Sequence, residues 1–281
     1  TYAASEATPV ILSQGVDFEY INTGHVVRDP FDCVIMIEDV VDLGEGKVKV
    51  ILPAAPWQHI RPIGEDMVAG EMILPEHHQI RPMDIGAMLG AGCGQVEVFE
   101  QIRIGIMPTG NEITDDYQAL ERGATFDSNS WIFHATATEM GALPERIPPV
   151  ADEYQLLKQG LLGLLERNHL VVVNAGSSAG SKDYTAKLIE ELGELVLHGI
   201  AIKPGKPTIL GIVQGKPVIG VPGYPGSAYL VFEEVVGRVI RSMQRIRYVR
   251  PPQAQAILSR RLVSSLKYRE YVRVKLGRVG E

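Results

Sequence analysis

Cysteine is scarce in this sequence of 281 residues, and the two that occur, Cys33 and Cys93, stand in unrelated contexts. Neither belongs to a CxxC motif or has a histidine at ligand spacing, which argues against a zinc site and a disulfide framework. Free cysteines of this kind are typical of a reducing compartment, so we expect a cytoplasmic protein.

Long apolar runs are also missing, and the middle of the chain has no block of basic residues. The one arginine-rich run, residues 238–250, is interpreted as a helix end followed by a strand with its arginines on the solvated side. No stretch of 18 apolar residues and no leader sequence occurs, so nothing indicates a membrane or export. The net charge is −7, and wholesale binding of nucleic acid is therefore disfavoured. The sequence opens on Thr1 without an initiator methionine, which leaves open that it is a piece of a longer protein.

The composition that remains is that of a globular protein with a core, at 45% hydrophobic and 22% charged residues. The length exceeds that of a usual single domain, which favours several domains. We predict a multi-domain α/β protein: a β-barrel-like domain over residues 1–60, a linker domain with a short helix over 61–100, an α/β domain over 101–248, and the start of a truncated C-terminal β domain over 249–281.

Short β-branched runs predict strands in the two β-rich segments. In the first they cover residues 26–27, 33–37 and 47–52, followed by a helix over 83–92 and a strand over 96–99. In the last they cover residues 256–263 and 271–276.

Strands and helices alternate in the central segment. The strands are expected at residues 102–107, 170–173, 196–202, 208–213 and 218–221, and the helices at 128–140, 152–167, 188–192 and 226–243. This alternation predicts a doubly wound α/β sheet flanked by the small β-rich domains, with Gln214 and Gly215 as the turn of a hairpin.

Three polar loops follow strands of that sheet, at residues 108–112, at 176–180 with Asp183 after it, and at the pair KPGKP (203–207) and PGYPGS (222–227). Ligands of open α/β sheets sit beyond the carboxyl ends of the strands, so we expect a site there. The usual nucleotide fingerprints GxGxxG and GxxxxGK[ST] are absent from the second loop.

The charged residues of these loops indicate an anion site with a metal. Lys203 and Lys206 lie three residues apart in a loop stiffened by proline, although a plain turn with solvated lysines is an alternative. Glu112, Asp152 and Asp183 would add carboxylates for a Mg²⁺ that bridges phosphate oxygens. A helix N-cap is the better interpretation of Asp152 from the residues alone.

Five motifs, PTGNEI (108–113), DSNS (127–130), GSSAGSKDYT (176–185), KPGKP and PGYPGS, together resemble the molybdopterin molybdenumtransferase family, relatives of the C-terminal part of gephyrin. The stretches TGHVVRDPFDCVIMIED and IRPIGEDMVAG resemble the family's barrel and linker regions. The resemblance covers nearly the whole chain. The PGYPGS motif, with Tyr224 between its prolines, resembles the form found in a branch of the family that is fused to a periplasmic-binding-protein-like domain.

The resemblance implies insertion of molybdate into adenylyl-molybdopterin with release of AMP, assisted by Mg²⁺. It implies a homodimer, with molybdopterin adenylyltransferase and other cofactor-pathway proteins as partners. The implied catalytic residues are Glu112, Asp152, Asp183, Lys203 and Lys206, with Glu112 and Asp183 as metal ligands. The implied substrate-binding residues are Thr23, Asp66, Thr109, Gly110, Gly176, Ser178, Gly180, Pro222, Pro225, Ser227 and Arg273.

The chain departs from the family pattern in three motifs, with Asn111 for Asp, Ala-Gly-Ser-Ser (175–178) for Gly-Gly-Val-Ser, and Tyr224 for Asn. These departures keep two alternatives open. One is a molybdopterin-binding or scaffold module without turnover, and the other is a different nucleotide-processing enzyme on the same α/β fold. The sequence does not distinguish molybdate from tungstate.

Overall fold

The computed structural model describes residues 3–175, 184–246 and 252–277. It divides into two compact units. The first unit contains Thr1–Pro75 and Ile80–Gly94, and the second contains Glu76–Gln79 and Gln95–Glu281. The division into four domains expected from the sequence stays a prediction.

The first unit is built on a small antiparallel sheet. Its strands are β1 (Val10–Ser13), β2 (Val40–Gly44) and β3 (Lys47–Val50), in the order β1-β3-β2. The central strand buries Val48 and Val50. A 3₁₀ turn (Ile37–Asp39) precedes β2, and helix α1 (Pro82–Gly90) closes the unit.

Part of the strand prediction for this unit is wrong. Residues 26–27 and 33–37 are not strands, and Val26 is 81% exposed. Val34 donates one backbone hydrogen bond to Gln58 instead of joining a ladder. Short β-branched runs become strands only where a neighbouring strand completes their backbone hydrogen bonds, and these runs have no such ladder.

The second unit contains the large sheet. Its strands are β4 (Arg103–Pro108), β7 (Leu143–Arg146), β8 (Leu170–Ala175), β9 (Gly193–His198), β11 (Ile209–Val213) and β12 (Lys216–Pro222). The order is β7-β4-β8-β12-β11-β9, with β7, β4, β8 and β12 parallel and the last two joins antiparallel. Two pairs of two-residue strands complete the set, β5 (Ile113–Thr114) with β6 (Thr125–Phe126), and β10 (Ile202–Lys203) with β13 (Arg269–Glu270).

Helices cover both faces of this sheet. They are α2 (Asn129–Glu139), α3 (Tyr154–Arg167), α4 (Tyr184–Leu192), α5 (Pro225–Val231) and α6 (Gly237–Met243), with a 3₁₀ turn at Tyr117–Arg122. A π-helical segment, Phe232–Val236, joins α5 and α6. One core cluster lies under α2, α5 and α6 and contains the stacked rings of Phe133 and Phe232; the other lies under α3 and α4. The doubly wound prediction is therefore confirmed.

Some predicted elements of this unit need correction. Residues 96–99, 256–263 and 271–276 are not strands, and the pairing in the C-terminal segment falls on Arg269–Glu270 instead. Ile257 and Val263 are almost fully exposed, so their β-branched side chains have no packed face to join. Leu156, expected on the buried stripe of α3, is 42% exposed, whereas Leu157, Leu161 and Leu164 are buried.

Candidate functional site

The candidate site lies where the direction of winding in the large sheet reverses. From β4 the chain crosses to β7 on one side, and it returns to β8 on the other side. Crevices at such switch points are the usual ligand sites of open α/β sheets. A pocket of about 410 Å³ opens there. Its lining residues are Thr109, Glu112, Ile113, Thr125, Phe126, Asp127, Ser128, Asn129, Asn174, Gly223, Tyr224 and Pro225.

Two buried carboxamides form the floor of this pocket. Nδ2 of Asn129 donates to the main-chain oxygen of Gly223 at 2.7 Å and to Oδ1 of Asn174 at 3.1 Å. Nδ2 of Asn174 donates to the main-chain oxygen of Pro222 at 2.9 Å. Because main-chain oxygens only accept, these contacts fix which side-chain atom is nitrogen in both residues. Oδ1 of Asn129 is left without a hydrogen-bond partner within the described residues.

The loop after β4 follows the same floor. Both the backbone N–H and the hydroxyl of Thr109 donate to the main-chain oxygen of Asn174, at 3.0 and 3.2 Å. Gly110 has a φ of 136°, and a Cβ at this position would lie 2.8 Å from Cγ1 of Ile113. Only glycine adopts this turn without strain, and the turn brings the Glu112 carboxylate back beside Gly110.

One wall of the pocket is a flap, residues 113–126, that contains β5 and β6. Arg146 anchors it, because its guanidinium hydrogen-bonds Asp115, Asp127 and Ser130 and lies 4.7 Å from the centre of the Trp131 ring. Burial alone would lower the pKa of Arg146, but the hydrogen bonds to Asp115 and Asp127 raise it above its ordinary value. Asp127 also accepts the N–H of Ser130 in the first turn of α2, at 3.1 Å.

The predicted acidic residues separate in space. Glu112 lines the pocket, and its carboxylate makes no hydrogen bond or ion pair with the described residues. Asp152 does not line the pocket. The predicted N-cap role is wrong, because the cap position of α3 is Glu153. The N–H of Asp152 instead donates to Oδ1 of Asn111 at 3.0 Å. Asp183 lies outside the described residues, together with the loop residues Gly176, Ser178 and Gly180.

The two predicted lysines contact the C-terminal segment, residues 252–277. Nζ of Lys203 lies 3.1 Å from Oε1 of Glu270, and Nζ of Lys206 lies 6.0 Å from the centre of the Tyr268 ring. Neither lysine lines the pocket in the part of the chain that the structure describes. Arg273 belongs to the same segment and is exposed.

The prolines of PGYPGS position the pocket's edge. Pro222 ends β12, and Pro225 opens α5 at a position where a missing N–H costs nothing. The N–H of Ser227 donates to the main-chain oxygen of Tyr224, and this serine is not a lining residue. In the first unit, Thr23 is exposed and Asp66 forms an ion pair with Arg61.

The sequence did not single out the two floor asparagines as site residues. Asn129 stands inside the DSNS motif, and Asn174 directly precedes the Ala175 departure, so both lay within stretches already marked as functional. A polar residue at the end of an otherwise apolar buried strand, as Asn174 is, was the available signal. Phe126 and Tyr224 add aromatic surface that the sequence also did not assign.

Two family profiles match the chain one after the other. The MoeA N-terminal region, domains I and II, matches residues 3–92, and the profile described as a probable molybdopterin binding domain matches residues 105–242. This chain belongs to the MoeA family. All twelve lining residues of the pocket fall within the second match.

Named relatives and solved structures agree with this MoeA assignment. The chain is 28% identical over 250 residues to a molybdopterin molybdenumtransferase of Haemophilus influenzae, which covers 86% of the chain and 60% of that protein. It is 25% identical over 256 residues to the Staphylococcus aureus enzyme of the same name, covering 91% and 61%. A molybdopterin biosynthesis MoeA protein from Pyrococcus horikoshii superposes with a TM-score of 0.66 at 31% identity, covering 86% of the chain and 63% of that structure.

The chain spans about three fifths of the length of these relatives. None of the helices in the described ranges combines the length and the apolar composition that a membrane span needs.

Proposed function

We propose that this chain inserts molybdate into adenylylated molybdopterin and releases AMP. The observation that carries the proposal is the position of the pocket, which lies at the switch point of the sheet and entirely inside the match to a molybdopterin binding domain. The relatives named molybdopterin molybdenumtransferase support the reaction class.

The chemistry of the pocket suits a large, partly planar, anionic substrate. Phe126 and Tyr224 offer aromatic faces to a heterocycle, and the floor offers carboxamide groups that fix its orientation. Lys203 and Lys206 are assigned to molybdate, because two exposed ammonium groups suit a dianion through charge-assisted contacts.

A Mg²⁺ ion fits the donors only in part. Among residues 3–175, 184–246 and 252–277, no group of three or more His, Cys, Asp and Glu side chains is placed to hold a metal. Mg²⁺ is commonly held by one or two carboxylates with phosphate oxygens completing its shell. The carboxylate of Glu112, which has no hydrogen bond or ion pair within the described residues, suits the role of one such ligand. We assign Glu112 and Asp183 to the ion, which would stabilise charge on the leaving phosphate.

A binding module without turnover is the second candidate. The observation in its favour is Asn111, which stands where the family has an acidic residue and uses its oxygen to accept the N–H of Asp152. The position therefore links two loops and brings no charge to the site.

AMP release separates the two candidates. The chain is incubated with adenylyl-molybdopterin and Mg²⁺, with and without molybdate, and AMP is quantified by chromatography. We expect molybdate-dependent release, and Glu112→Gln to lower it at least tenfold. Glu166→Gln, which removes an exposed carboxylate of α3, is the matched control and keeps full release. Tight binding of adenylyl-molybdopterin with no release in any protein would leave the binding module as the function.

We further propose a cytoplasmic homodimer that receives its substrate from a molybdopterin adenylyltransferase. Thr23 and Asp66 support the dimer, because they match site positions of the family although they lie far in the sequence from the loops of the α/β domain. Sedimentation at micromolar concentration tests the proposal, and a purely monomeric full-length protein would argue against it.

A further inference from the structure

Lys203 belongs to a compact polar cluster that no motif predicted. The cluster forms where β10 pairs in parallel with β13, which sets Lys203 opposite Glu270. The ammonium of Lys203 donates to Oε1 of Glu270 at 3.1 Å and to Oγ of Ser265 at 3.0 Å. The side chain of Glu270 is only 15% exposed, whereas that of Lys203 is 59% exposed.

The carboxylate of Glu270 is held firmly in this cluster. The N–H of Ser265 donates to Oε2 at 3.1 Å, and the hydroxyl of the same serine lies 3.2 Å from Oε1. Hydrogen bonds from Ser264, then from Lys203 and from Ser265, lower the pKa of Glu270 to about 2. The negative charge therefore stays beside Lys203 at every pH at which the enzyme would work.

Lys203 keeps the capacity to bind a further anion. An ammonium group has three donors, and two of them are directed at Glu270 and Ser265. An oxyanion that accepts from the third donor would lie close to the Glu270 carboxylate, because both groups contact Nζ of Lys203. The two negative groups then repel each other, and the repulsion grows with the charge of the oxyanion.

We infer that Glu270 sets the affinity of Lys203 for oxyanions, by holding a fixed negative charge next to the ammonium that weakens binding of dianions more than of monoanions. The inference rests on the proposed function, which assigns Lys203 to molybdate. It adds that the C-terminal segment, through one carboxylate, limits how tightly the tetrahedral dianion is held.

The size of the effect follows from Coulomb's law. With roughly 6 Å between the negative centres and the dielectric constant of water, the repulsion corresponds to about tenfold in affinity for a dianion and about threefold for a monoanion. Salt screens charges at this distance, so the measurement belongs at low ionic strength.

The experiment compares two tetrahedral oxyanions of similar size, molybdate with two charges and perrhenate with one. Their affinities are measured by equilibrium dialysis for the wild-type chain, Glu270→Gln and Glu270→Asp. We expect Glu270→Gln to bind molybdate about tenfold more tightly and perrhenate about threefold more tightly, and Glu270→Asp to stay near the wild type. Glu191→Gln, which removes an exposed carboxylate paired with Lys158, controls for net charge and leaves both affinities unchanged.

Other outcomes overturn the inference. Unchanged or weaker molybdate binding by Glu270→Gln means that the carboxylate orients Lys203 or has no role. An equal gain for both oxyanions means a steric effect, and absence of measurable molybdate binding in all variants removes the premise. The variant Lys203→Gln distinguishes the two proposals. If its molybdate affinity equals that of the wild type, the assignment of Lys203 in the proposed function fails. If Lys203→Gln loses molybdate affinity but Glu270→Gln has no effect, only this inference is refuted.

Discussion

Arg146 anchors the flap of the pocket, and replacing it with methionine should destabilise the second unit strongly. Its side chain is 10% exposed and that of Asp127 is 2% exposed, with 2.8 Å between them. Removal of one partner from a buried ion pair costs about 3–5 kcal/mol, because the other charge is left buried and uncompensated. The variant Arg146→Met is similar in length but cannot hydrogen-bond, so we expect a loss of that size.

The chain offers a matched control for this variant. Arg167 pairs with Glu145 at 2.6 Å, but the side chains are 55% and 36% exposed. Exposed ion pairs contribute about 0–1 kcal/mol, so Arg167→Met should cost far less than Arg146→Met. The two variants carry the same substitution at a buried and at an exposed ion pair, although Arg146 also hydrogen-bonds Asp115 and Ser130.

Trp131 supplies the signal, because it lies against the Arg146 guanidinium. The sequence has two tryptophans, so a Trp57→Phe background leaves Trp131 as the only indole. Urea unfolding is followed by its fluorescence in Arg146→Met, in Asp127→Asn and in the double variant. The loss of unfolding free energy in the double variant should be smaller than the sum of the two single losses by at least about 1 kcal/mol. A loss below about 1 kcal/mol for Arg146→Met, or strict additivity, would refute the buried-pair argument.

Three further predictions concern charge. Lys206→Ala should lower molybdate affinity about ten- to a hundredfold, the cost of one charge-assisted contact, with the fold intact by circular dichroism; unchanged molybdate dependence contradicts the assignment. Asp183→Asn should keep the melting temperature and abolish Mg²⁺-dependent AMP release, and equal metal titrations for both proteins would leave Asp183 without a metal role. Glu270 has a pKa of about 2 against an ordinary value of 4.5, so its stabilising contribution is complete above pH 4.5 and is lost as the pH falls towards 2. The difference in urea midpoint between the wild type and Glu270→Gln should therefore shrink from pH 5 to pH 3, and a constant difference would argue that the carboxylate is not held by its neighbours.

The α/β sheet was predictable because its signals are local. The hairpin turn is an example: Gln214 and Gly215 both adopt positive φ, 53° and 73°, as a two-residue turn between strands requires. The strands of the β-rich segments were not predictable to the same degree. Whether a short β-branched run becomes a strand depends on a partner elsewhere in the chain, and residues 33–37 lack the ladder that β3 has.

The candidate site was predictable to the level of loops but not of side chains. The loops at the ends of β4 and β12 do converge on one pocket, as strand-end positions indicated. The pairing of Lys203 with Glu270 was not predictable, since it depends on β13 of the C-terminal segment pairing with β10. The hydrogen bond from Asn129 to Asn174 likewise joins residues that are far apart in the sequence, and no spacing of residues predicts it.

The carboxamide floor also affects how a ligand would bind. Asn129 begins α2, and its amide is tied to Asn174 in β8 and to Gly223 ahead of α5, so three elements share one rigid set of hydrogen bonds. The rotamers of these side chains are ordered when the protein folds, and a ligand that docks on them causes no further loss of their conformational entropy. Ligands of different shape would then be accommodated by changes in the flap, which Arg146 of β7 attaches to the sheet through Asp115 and Asp127.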